Sequence, residues 1–265
     1  MGFRGVLGHE FVGQTETGQR VVAEINNSCG TCPTCLAGMG HHCPRRTVLG
    51  ILNHDGAMAD IVMVPSRNIH AIPDHVDDHE AIFIEPLAAA FRISEQLPIS
   101  VGARVAVLGD GKLGILCAKV MNLSGAKVDL IGKHSQKLVL AGDSVQTHLV
   151  DQVDRLAKSF DIVIDATGSP TGLATAMTLV RPLGTIILKT TVAGEYLTNL
   201  APIVIDEIHI IGSRCGPFPR AIEALSRHEI DVLPLIECEL PLEEVDEAFR
   251  LAGTKGKRKV LLRVK

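Results

Sequence analysis

From Arg104 onwards, short apolar runs alternate with segments in which small apolar residues recur three and four positions apart. The runs predict buried strands and the periodic segments predict helices. Strands that are apolar on both faces are typical of a parallel sheet covered by helices on both sides. We therefore predict an α/β fold with a doubly wound parallel sheet. The predicted strands are 105–108, 127–131, 147–150, 161–165, 185–188 and 208–211, and the predicted helices are 113–123, 136–141, 172–180 and 220–227.

The segments on either side of this region carry a different pattern. Residues 1–75 are rich in Gly, His and Cys, and β-branched runs at 20–25 and 59–64 predict strands between turns. Small apolar residues at helical spacing predict a helical stretch from Asp78 to about Gln96. After Ile230 we expect a strand-like segment, a helix at 242–251 and a basic final strand at 259–264.

Composition narrows the classes of protein that the chain can represent. The 265 residues are 46% apolar, which supplies ample material for a core and argues against disorder. The net charge of −4 and the absence of Trp argue against a nucleic-acid binder. No apolar run reaches the roughly 18 residues that a membrane span needs, and the chain start lacks an apolar signal core. An odd number of cysteines, seven, fits a reducing, cytoplasmic location.

A glycine-rich turn carries the first chemical signal. Gly109, Gly111 and Gly114 have the G-x-G-x-x-G spacing between a predicted strand and a predicted helix. The first glycine permits the tight turn, the second lets the backbone approach a pyrophosphate, and the third allows close helix–strand packing. The helix N-terminus then offers unpaired N–H groups to the phosphates. In this context the turn predicts a dinucleotide site, with an empty turn as the alternative.

The residues after the second predicted strand bear on the choice of cofactor. An NAD site usually has Asp or Glu there to bond the ribose hydroxyls, but this chain reads Gly132-Lys133-His134-Ser135. Lys133 would attract a 2′-phosphate, so we predict that NADP is preferred over NAD. The alternative is a solvated loop in an NAD enzyme that uses weaker ribose contacts.

Four cysteines fall within one short loop, at Cys29, Cys32, Cys35 and Cys43. Four thiolates suit a tetrahedral zinc ion, and neighbouring glycines let the chain fold around it. An iron–sulfur cluster is the first alternative, but the bacterial ferredoxin spacing has a shorter last gap. Disulfides are the second alternative. We predict a structural zinc site.

A second candidate metal site is weaker on residue types alone. His9 and Glu10 lie between two glycines, and Glu85 lies on the later helical stretch. Imidazole and carboxylate groups both bind zinc. A His-Glu pair of this kind is more often a surface or packing pair, so only its combination with the cysteine loop and the glycine-rich turn favours a metal site.

These motifs together resemble the zinc-containing medium-chain dehydrogenase/reductases of the alcohol dehydrogenase superfamily. The Glu85-Pro86-Leu87 form is similar to the polyol and threonine dehydrogenase branch. The resemblance covers essentially the whole chain. The motifs that carry it are, in chain order, Gly8-His9-Glu10-x2-Gly13, the four-cysteine loop, Asp55-Gly56-Ala57, Glu85-Pro86-Leu87, the glycine-rich turn, Asp165-Ala166-Thr167-Gly168, Arg181-Pro182-Leu183-Gly184 and Gly212-Ser213-Arg214-Cys215-Gly216.

The resemblance implies a Rossmann domain and a partial GroES-like, β-rich catalytic domain. Residues 1–95 would form the partial catalytic domain with the structural-zinc loop, residues 96–230 the dinucleotide-binding domain, and residues 231–265 a return to the catalytic domain. It implies hydride transfer between a small alcohol or polyol, or the matching carbonyl compound, and NAD(P). It also implies a homo-oligomer, a dimer or a tetramer.

The resemblance also implies roles for particular residues. His9 would be a ligand of the catalytic zinc, with Glu10 and Glu85 as ligands or exchangeable ligands, and the four cysteines would hold the structural zinc. The nucleotide would be contacted by Gly109, Gly111, Lys112, Leu113 and Gly114 at the pyrophosphate, by Lys133, His134 and Lys137 at the adenosine ribose, and by Thr167, Gly168, Ser213 and Cys215 on the nicotinamide side.

The chain departs from the family pattern in one respect. The family places a Cys ligand of the catalytic zinc well before the Gly-His-Glu motif, but only eight residues precede His9 and none of them is Cys. We therefore expect an N-terminally truncated form that binds NADP and structural zinc and is poorly active as written. Two alternatives stay open: an inactive nucleotide-binding module, and a zinc-independent, quinone-reductase-like NADPH enzyme.

Overall fold

The computed structural model describes residues 3–192 and 194–264, which form two compact units. The first unit comprises the chain up to Glu85 together with the chain from Pro217 on, and the second unit is Pro86–Gly216. Within the described residues, no helix has the length and apolar character needed to cross a bilayer.

The first unit is built from short strands in three small sheets. Strands β1, β2 and β5 form an antiparallel sheet with β2 in the centre, β3 pairs antiparallel with β4, and β12 pairs parallel with β13. The residue bounds are β1 (Gly13–Gln14), β2 (Arg20–Ala23), β3 (Asn26–Asn27), β4 (Thr47–Val48), β5 (Ile69–Ala71), β12 (Ile236–Pro241) and β13 (Lys259–Arg263).

Four α-helices accompany these strands. Asp77 caps the helix at Asp78–Ala81. Its side chain accepts from the backbone N–H of His79, and the Glu80 carboxylate accepts from the backbone N–H of Asp77. The helices of this unit are α1 (Pro33–Leu36), α2 (Asp78–Ala81), α8 (Phe218–Ser226) and α9 (Val245–Ala252), and short 3₁₀ turns lie at Gly40–His42, Ser66–Asn68, Leu233–Leu235 and Leu242–Glu244.

The second unit contains a six-stranded, entirely parallel sheet in the order β11-β10-β9-β6-β7-β8. When β6 is numbered as strand 1 and the order is read from β8, this is the 3-2-1-4-5-6 order of the Rossmann fold. The predicted doubly wound sheet is therefore confirmed. The strands are β6 (Arg104–Leu108), β7 (Lys127–Gly132), β8 (Gln146–Leu149), β9 (Phe160–Asp165), β10 (Val180–Leu188) and β11 (His209–Gly212).

Helices cover this sheet because its central strands are mainly apolar and mostly buried. All but the first residue of β6 is buried, and Phe160 at the start of β9 is fully buried. The chain order reverses between β6 and β9, and ligands of such sheets bind at the carboxyl ends of the strands at that point. The helices are α3 (Ile84–Gln96, which begins in the first unit), α4 (Lys112–Leu123), α5 (Ser135–Leu138), α6 (Gly172–Leu179) and α7 (Ala201–Ile205), with 3₁₀ turns at Val139–Ala141 and Val150–Leu156.

The prediction of a strand at residues 59–64 was wrong. That segment has no regular secondary structure, and Ile61 and Met63 are 83% and 80% exposed. The alternation of apolar and polar residues resembled a strand, but a strand also needs a partner for its backbone hydrogen bonds. Both edges of β2 are already occupied by β1 and β5.

The unit boundaries after Glu85 and before Pro217 differ from the domain boundaries expected from sequence at residues 95 and 230. Two helices account for the difference. Most of the helix at 84–96 belongs to the second unit, and the helix at 218–226 belongs to the first.

Candidate functional site

The four loop cysteines converge on one point. The Sγ–Sγ distances are 3.9 Å for Cys29–Cys35, 3.5 Å for Cys32–Cys35, 3.8 Å for Cys32–Cys43 and 3.6 Å for Cys29–Cys43. A tetrahedral zinc ion with Zn–S bonds of about 2.3 Å places its sulfur ligands about 3.8 Å apart. Disulfide sulfurs would lie about 2 Å apart. The donor set and its spacing therefore fit a single tetrahedral ion.

Neighbouring groups favour the thiolate form of one cysteine. The backbone N–H of Thr31 is the main cause that lowers the pKa of Cys29 to about 5. The Arg45 guanidinium also donates to Cys29 Sγ at 3.2 Å. Partial removal from water raises the pKa of Cys35 to about 11, so a bound cation is needed to ionise all four cysteines.

His9, Glu10 and Glu85 form the second cluster. One ligand atom from each residue lies within 4.8 Å of the others, and all three side chains are half-buried. His9 and Glu10 belong to the segment before β1, and Glu85 lies in the first turn of α3. The fold thus brings together the three residues that were predicted from the sequence as ligands of a catalytic metal ion.

The pKa of His9 favours metal binding. Burial, and then the positive charge of Lys259, lower this pKa below its ordinary value. The imidazole is therefore neutral at pH 7, which is the form that binds metal ions.

Lys259 is a member of this cluster that sequence reasoning missed. Its Nζ forms an ion pair with Glu10 Oε2, and it lies 5.1 Å from the centre of the Phe83 ring. Burial lowers the pKa of Lys259 to about 8, while the Glu10 carboxylate favours its charged form. Lys259 and Glu10 are 249 positions apart in the chain, so no local pattern connects them.

A cleft of about 790 Å³ adjoins this cluster within the first unit. Its wall combines apolar side chains with a group of charged and polar ones. The polar residues on the wall are His9, Glu10, Asp78, His79, Glu239, Lys259 and Arg263.

His79, on this wall, is held between two carboxylates. Its Nε2 lies 2.8 Å from Glu239 Oε2 and its Nδ1 lies 2.9 Å from Asp77 Oδ1. These two hydrogen bonds, the one to Glu239 first, raise the pKa of His79 above its ordinary value.

In the second unit, the three glycines of the predicted dinucleotide turn have the required geometry. Gly109 has φ +111°, and a Cβ on Gly114 would lie 1.9 Å from the Gly109 carbonyl oxygen. A Cβ on Gly111 would meet no atom within 4 Å. Gly111 therefore borders open space in front of α4, whose N-terminus has no side-chain cap. This arrangement fits a dinucleotide pyrophosphate.

Asp110, inside the same turn, bonds to the loop after β7. Its Oδ2 accepts from the backbone N–H groups of Lys133 at 2.7 Å and His134 at 2.6 Å, and from His134 Nδ1 at 3.0 Å. Sequence reasoning found no carboxylate at the end of β7, and the structure brings one there from another strand end. Two effects lower the pKa of Lys112. The larger is the partial removal of Lys112 from water, and the second is the positive charge of nearby Lys137.

The predicted nicotinamide-side residues follow β9 and β11. Asp165 Oδ1 accepts from the Thr167 backbone N–H at 3.0 Å and from the hydroxyls of Thr167 at 2.7 Å and Thr190 at 2.8 Å. The Gly168 N–H in turn donates to Thr190 Oγ1 at 3.0 Å. This network fixes the loop after β9. From the sequence, Asp165 was named only as part of a motif, and Thr190 was not named.

A buried lysine organises the residues after β11. Lys189 Nζ donates to Ser213 Oγ and to the Arg214 carbonyl, each at 3.1 Å, and also to the Ala89 carbonyl. Ser213 is buried, and Cys215 is half-buried two residues further on. The Lys189 ammonium, which sequence reasoning missed, thus fixes the Ser213 side chain.

Comparison with known proteins agrees with this architecture. Residues 3–74 match the alcohol dehydrogenase GroES-like domain. The L-threonine 3-dehydrogenase of Saccharopolyspora erythraea is 27% identical, with 97% of this chain and 81% of that protein aligned. The D-arabitol-phosphate dehydrogenase of Enterococcus avium is 28% identical, with the same two shares covered.

A solved structure shows the same fold over nearly the whole chain. A protein of Sinorhizobium meliloti 1021, described as a zinc-binding dehydrogenase and bound to NADP, is 27% identical with a TM-score of 0.89, and the match covers 98% of this chain and 84% of that one. The fold and the two clusters define a dehydrogenase of the two-domain, metal-containing type. Over nearly its whole length the chain is similar to the zinc-containing medium-chain dehydrogenase/reductases of the alcohol dehydrogenase superfamily, and it is an oxidoreductase.

Proposed function

We propose that this enzyme transfers a hydride between a small alcohol or polyol and NADP in a zinc-dependent reaction. The observation that carries the proposal is the convergence of His9, Glu10 and Glu85 in a chain that also holds an open dinucleotide turn at Gly111. Imidazole and carboxylate groups are the ligands that a catalytic zinc ion uses in proteins.

His9, Glu10 and Glu85 have distinct roles in this proposal. His9 and Glu85 would hold the metal, with Glu10 as a third ligand. When bound, zinc acts as a Lewis acid that favours the alkoxide form of an alcohol near neutral pH. His9 offers a neutral imidazole because its pKa is lowered. Lys259 holds the Glu10 carboxylate and offsets one negative charge, so Glu10 is the most readily exchanged of the three.

The four cysteines would hold a second, structural zinc ion. Their sulfur separations support one tetrahedral ion and leave no position for a substrate. The loop they close includes α1 and the 3₁₀ turn at Gly40–His42, which have few residues of their own to form a core. The ion would therefore supply the stability of this loop.

The charge around the dinucleotide turn supports NADP as the preferred cofactor. Lys112, Lys133 and Lys137 carry positive charge, and no described carboxylate pairs with any of them. Lys133 and Lys137 would meet the 2′-phosphate and Lys112 the pyrophosphate. Thr167, Gly168, Ser213 and Cys215 would line the nicotinamide side, where the Asp165 and Lys189 networks fix the backbone.

The substrate class follows from the cleft and the relatives. The cleft next to His9 offers several polar side chains, which suit a substrate that carries hydroxyl groups. Two relatives are named for L-threonine and for D-arabitol phosphate, which are both small polar compounds with a secondary alcohol group. A small polar secondary alcohol or polyol, or its carbonyl counterpart, is the substrate we propose.

We further propose a cytoplasmic homo-oligomer, a dimer or a tetramer. Strand β11 lies at the edge of the large sheet, and its exposed backbone can pair with another copy. Leu197, Val204 and Ile205 of the same unit expose most of their side chains, which favours burial against a partner.

A metal-depletion assay tests the proposed reaction. The zinc-loaded protein should reduce NADP+ with at least one member of a panel of secondary alcohols and polyols, and a chelator that strips the His9 cluster should abolish this activity. Cofactor binding without any turnover would favour an inactive nucleotide-binding module instead. Chelator-resistant reduction of quinones by NADPH would favour a zinc-independent enzyme.

A further inference from the structure

The contact between Asp110 and the loop after β7 has a bearing on cofactor choice. Asp110 belongs to the glycine-rich turn, whereas Lys133 and His134 follow the neighbouring strand. Three donors end on the single oxygen Asp110 Oδ2: two backbone N–H groups and the His134 Nδ1. Such charge-assisted bonds from fixed backbone donors hold a loop in one conformation.

The sequence around this contact is built to accommodate it. A Cβ on Gly132 would lie 2.5 Å from Asp110 Cβ and 2.6 Å from Asp110 Oδ2. Only glycine therefore leaves room for the Asp110 side chain at the end of β7. Asp110, Gly132 and His134 form one unit, in which the side chain of Asp110 is only 12% exposed.

The carboxylate and the lysine beside it face different surroundings. The Asp110 charge is compensated by three donors and lies under the loop, while the Lys133 side chain is exposed and has no carboxylate partner within the described part of the chain. Lys112 and Lys137 add two more cations near the same turn. The side chains that remain free to meet a ligand are therefore cationic.

We propose that Asp110 is a positioning residue for recognition of the NADP 2′-phosphate. By fixing the backbone of Lys133 and His134, it presents the Lys133 ammonium and the His134 ring to the phosphate. This inference rests on the proposed NADP preference and adds the residue that sets it. The rival role is that Asp110 accepts a bond from the ribose hydroxyls through Oδ1, which would favour NAD.

Calorimetric titration of the zinc-loaded full chain with NADP+ and with NAD+ separates these roles. Asp110→Ala should weaken NADP+ binding about tenfold, the effect of losing hydrogen bonds to a charged group, and should change NAD+ binding much less. Gly132→Ala should give the same NADP-selective loss because its Cβ displaces Asp110. Asp143→Asn, a change at an exposed carboxylate of the same unit, is the matched control and should leave both affinities unchanged.

A second comparison shows whether Asp110 acts through Lys133. Lys133→Ala should weaken NADP+ binding, and the double variant with Asp110→Ala should bind no more weakly than the weaker single variant. If Asp110→Ala does not fold, Asp110→Asn serves instead, because its amide oxygen still accepts from the backbone while the charge is lost. A smaller, NADP-selective loss is expected for it.

The contrary outcomes are distinct. Equal weakening of NADP+ and NAD+ by the Asp110 variants would show a general structural role and overturn the proposal. A gain in NADP+ affinity with a loss for NAD+ would establish the rival role. If the Asp110 variants keep their NADP+ affinity while Lys133→Ala loses it, the proposed role of Asp110 is refuted but the 2′-phosphate site at Lys133 is retained. An unaffected affinity in Lys133→Ala would refute the proposed 2′-phosphate site as well.

Discussion

Lys259, buried at the start of the final strand, forms an ion pair with the half-buried Glu10, which lies beside His9 near the beginning of the described chain. The pair joins two segments of the first unit that are 249 positions apart. It also sets a lysine ammonium in competition with any metal ion for one of three clustered ligands. The occupancy of the proposed catalytic metal site therefore depends on a residue that binds no metal.

Replacement of Lys259 tests this competition. Lys259→Met should raise the zinc affinity of the His9 cluster about tenfold, because an adjacent charge of this kind is worth at least about 1 kcal/mol even with strong screening. The measurement is a two-site competition titration against a chromogenic zinc chelator. Lys257→Met removes a half-buried lysine that pairs with Glu237 and is the control. An unchanged or weaker zinc affinity in Lys259→Met would show that Glu10 is not shared in this way.

The cysteine loop makes a separate prediction about metal content. Cys35→Ser should remove one zinc equivalent per chain and lower the stability of the first unit, because binding free energy at a structural site contributes directly to folding. Elemental analysis and thermal unfolding give the two readouts. Cys238→Ser, a change at a half-buried cysteine outside the loop, should retain the full zinc content. Full zinc content in Cys35→Ser, or a coloured iron-containing protein, would contradict the zinc assignment.

The glycine turn predicts opposite effects for two similar substitutions. Gly111→Ala places its Cβ in open space, so the protein should fold normally but lose most of its NADP+ affinity. Gly114→Ala drives its Cβ into the Gly109 carbonyl, so it should destabilise the second unit by about 1–3 kcal/mol, the usual cost of overpacking. Thermal unfolding and cofactor titration of both variants measure the contrast. Normal NADP+ affinity in Gly111→Ala would place the pyrophosphate elsewhere.

His79 predicts a pH-dependent contribution to stability. Its raised folded pKa means that the stabilisation by Glu239 and Asp77 is fully present below the unfolded value of about 6.5 and is lost as pH rises through the folded pKa. His79→Gln should therefore destabilise the protein at about pH 5.5 by less than about 1 kcal/mol, because the groups are partly exposed, and the difference should vanish at higher pH. Urea unfolding at several pH values measures it. A larger difference at high pH than at low pH would have the wrong sign.

The sequence predicted those parts of the structure that depend on local pattern. The Rossmann sheet was predictable because β6, β7 and β9 are mainly apolar, which indicates strands that are buried on both faces. The cysteine site was predictable because its four ligands lie in one loop. The His9 and Glu85 pairing needed the family resemblance, since 76 positions separate residues 9 and 85 in the numbering.

The features that were missed depend on tertiary contacts. Lys259 reaches Glu10 over 249 positions of chain, and Asp110 reaches His134 after the neighbouring strand, so neither contact is visible as a local pattern in the sequence. The buried Lys189 lies at a strand end whose sequence resembles an ordinary surface position. The false strand at 59–64 shows the converse, since alternation alone does not provide a pairing partner.

Transfer of deuterium tests the central claim most directly. The zinc-loaded protein is incubated with NADPH that carries deuterium at the reactive nicotinamide carbon and with ketones that correspond to the polyol panel, and the products are analysed by mass spectrometry. The proposed function predicts deuterium on the new carbinol carbon, and its loss in His9→Ala, which should still bind NADPH. No transfer to any ketone by the zinc-loaded protein, or undiminished transfer by His9→Ala, would contradict a zinc-dependent hydride transfer at the His9 cluster.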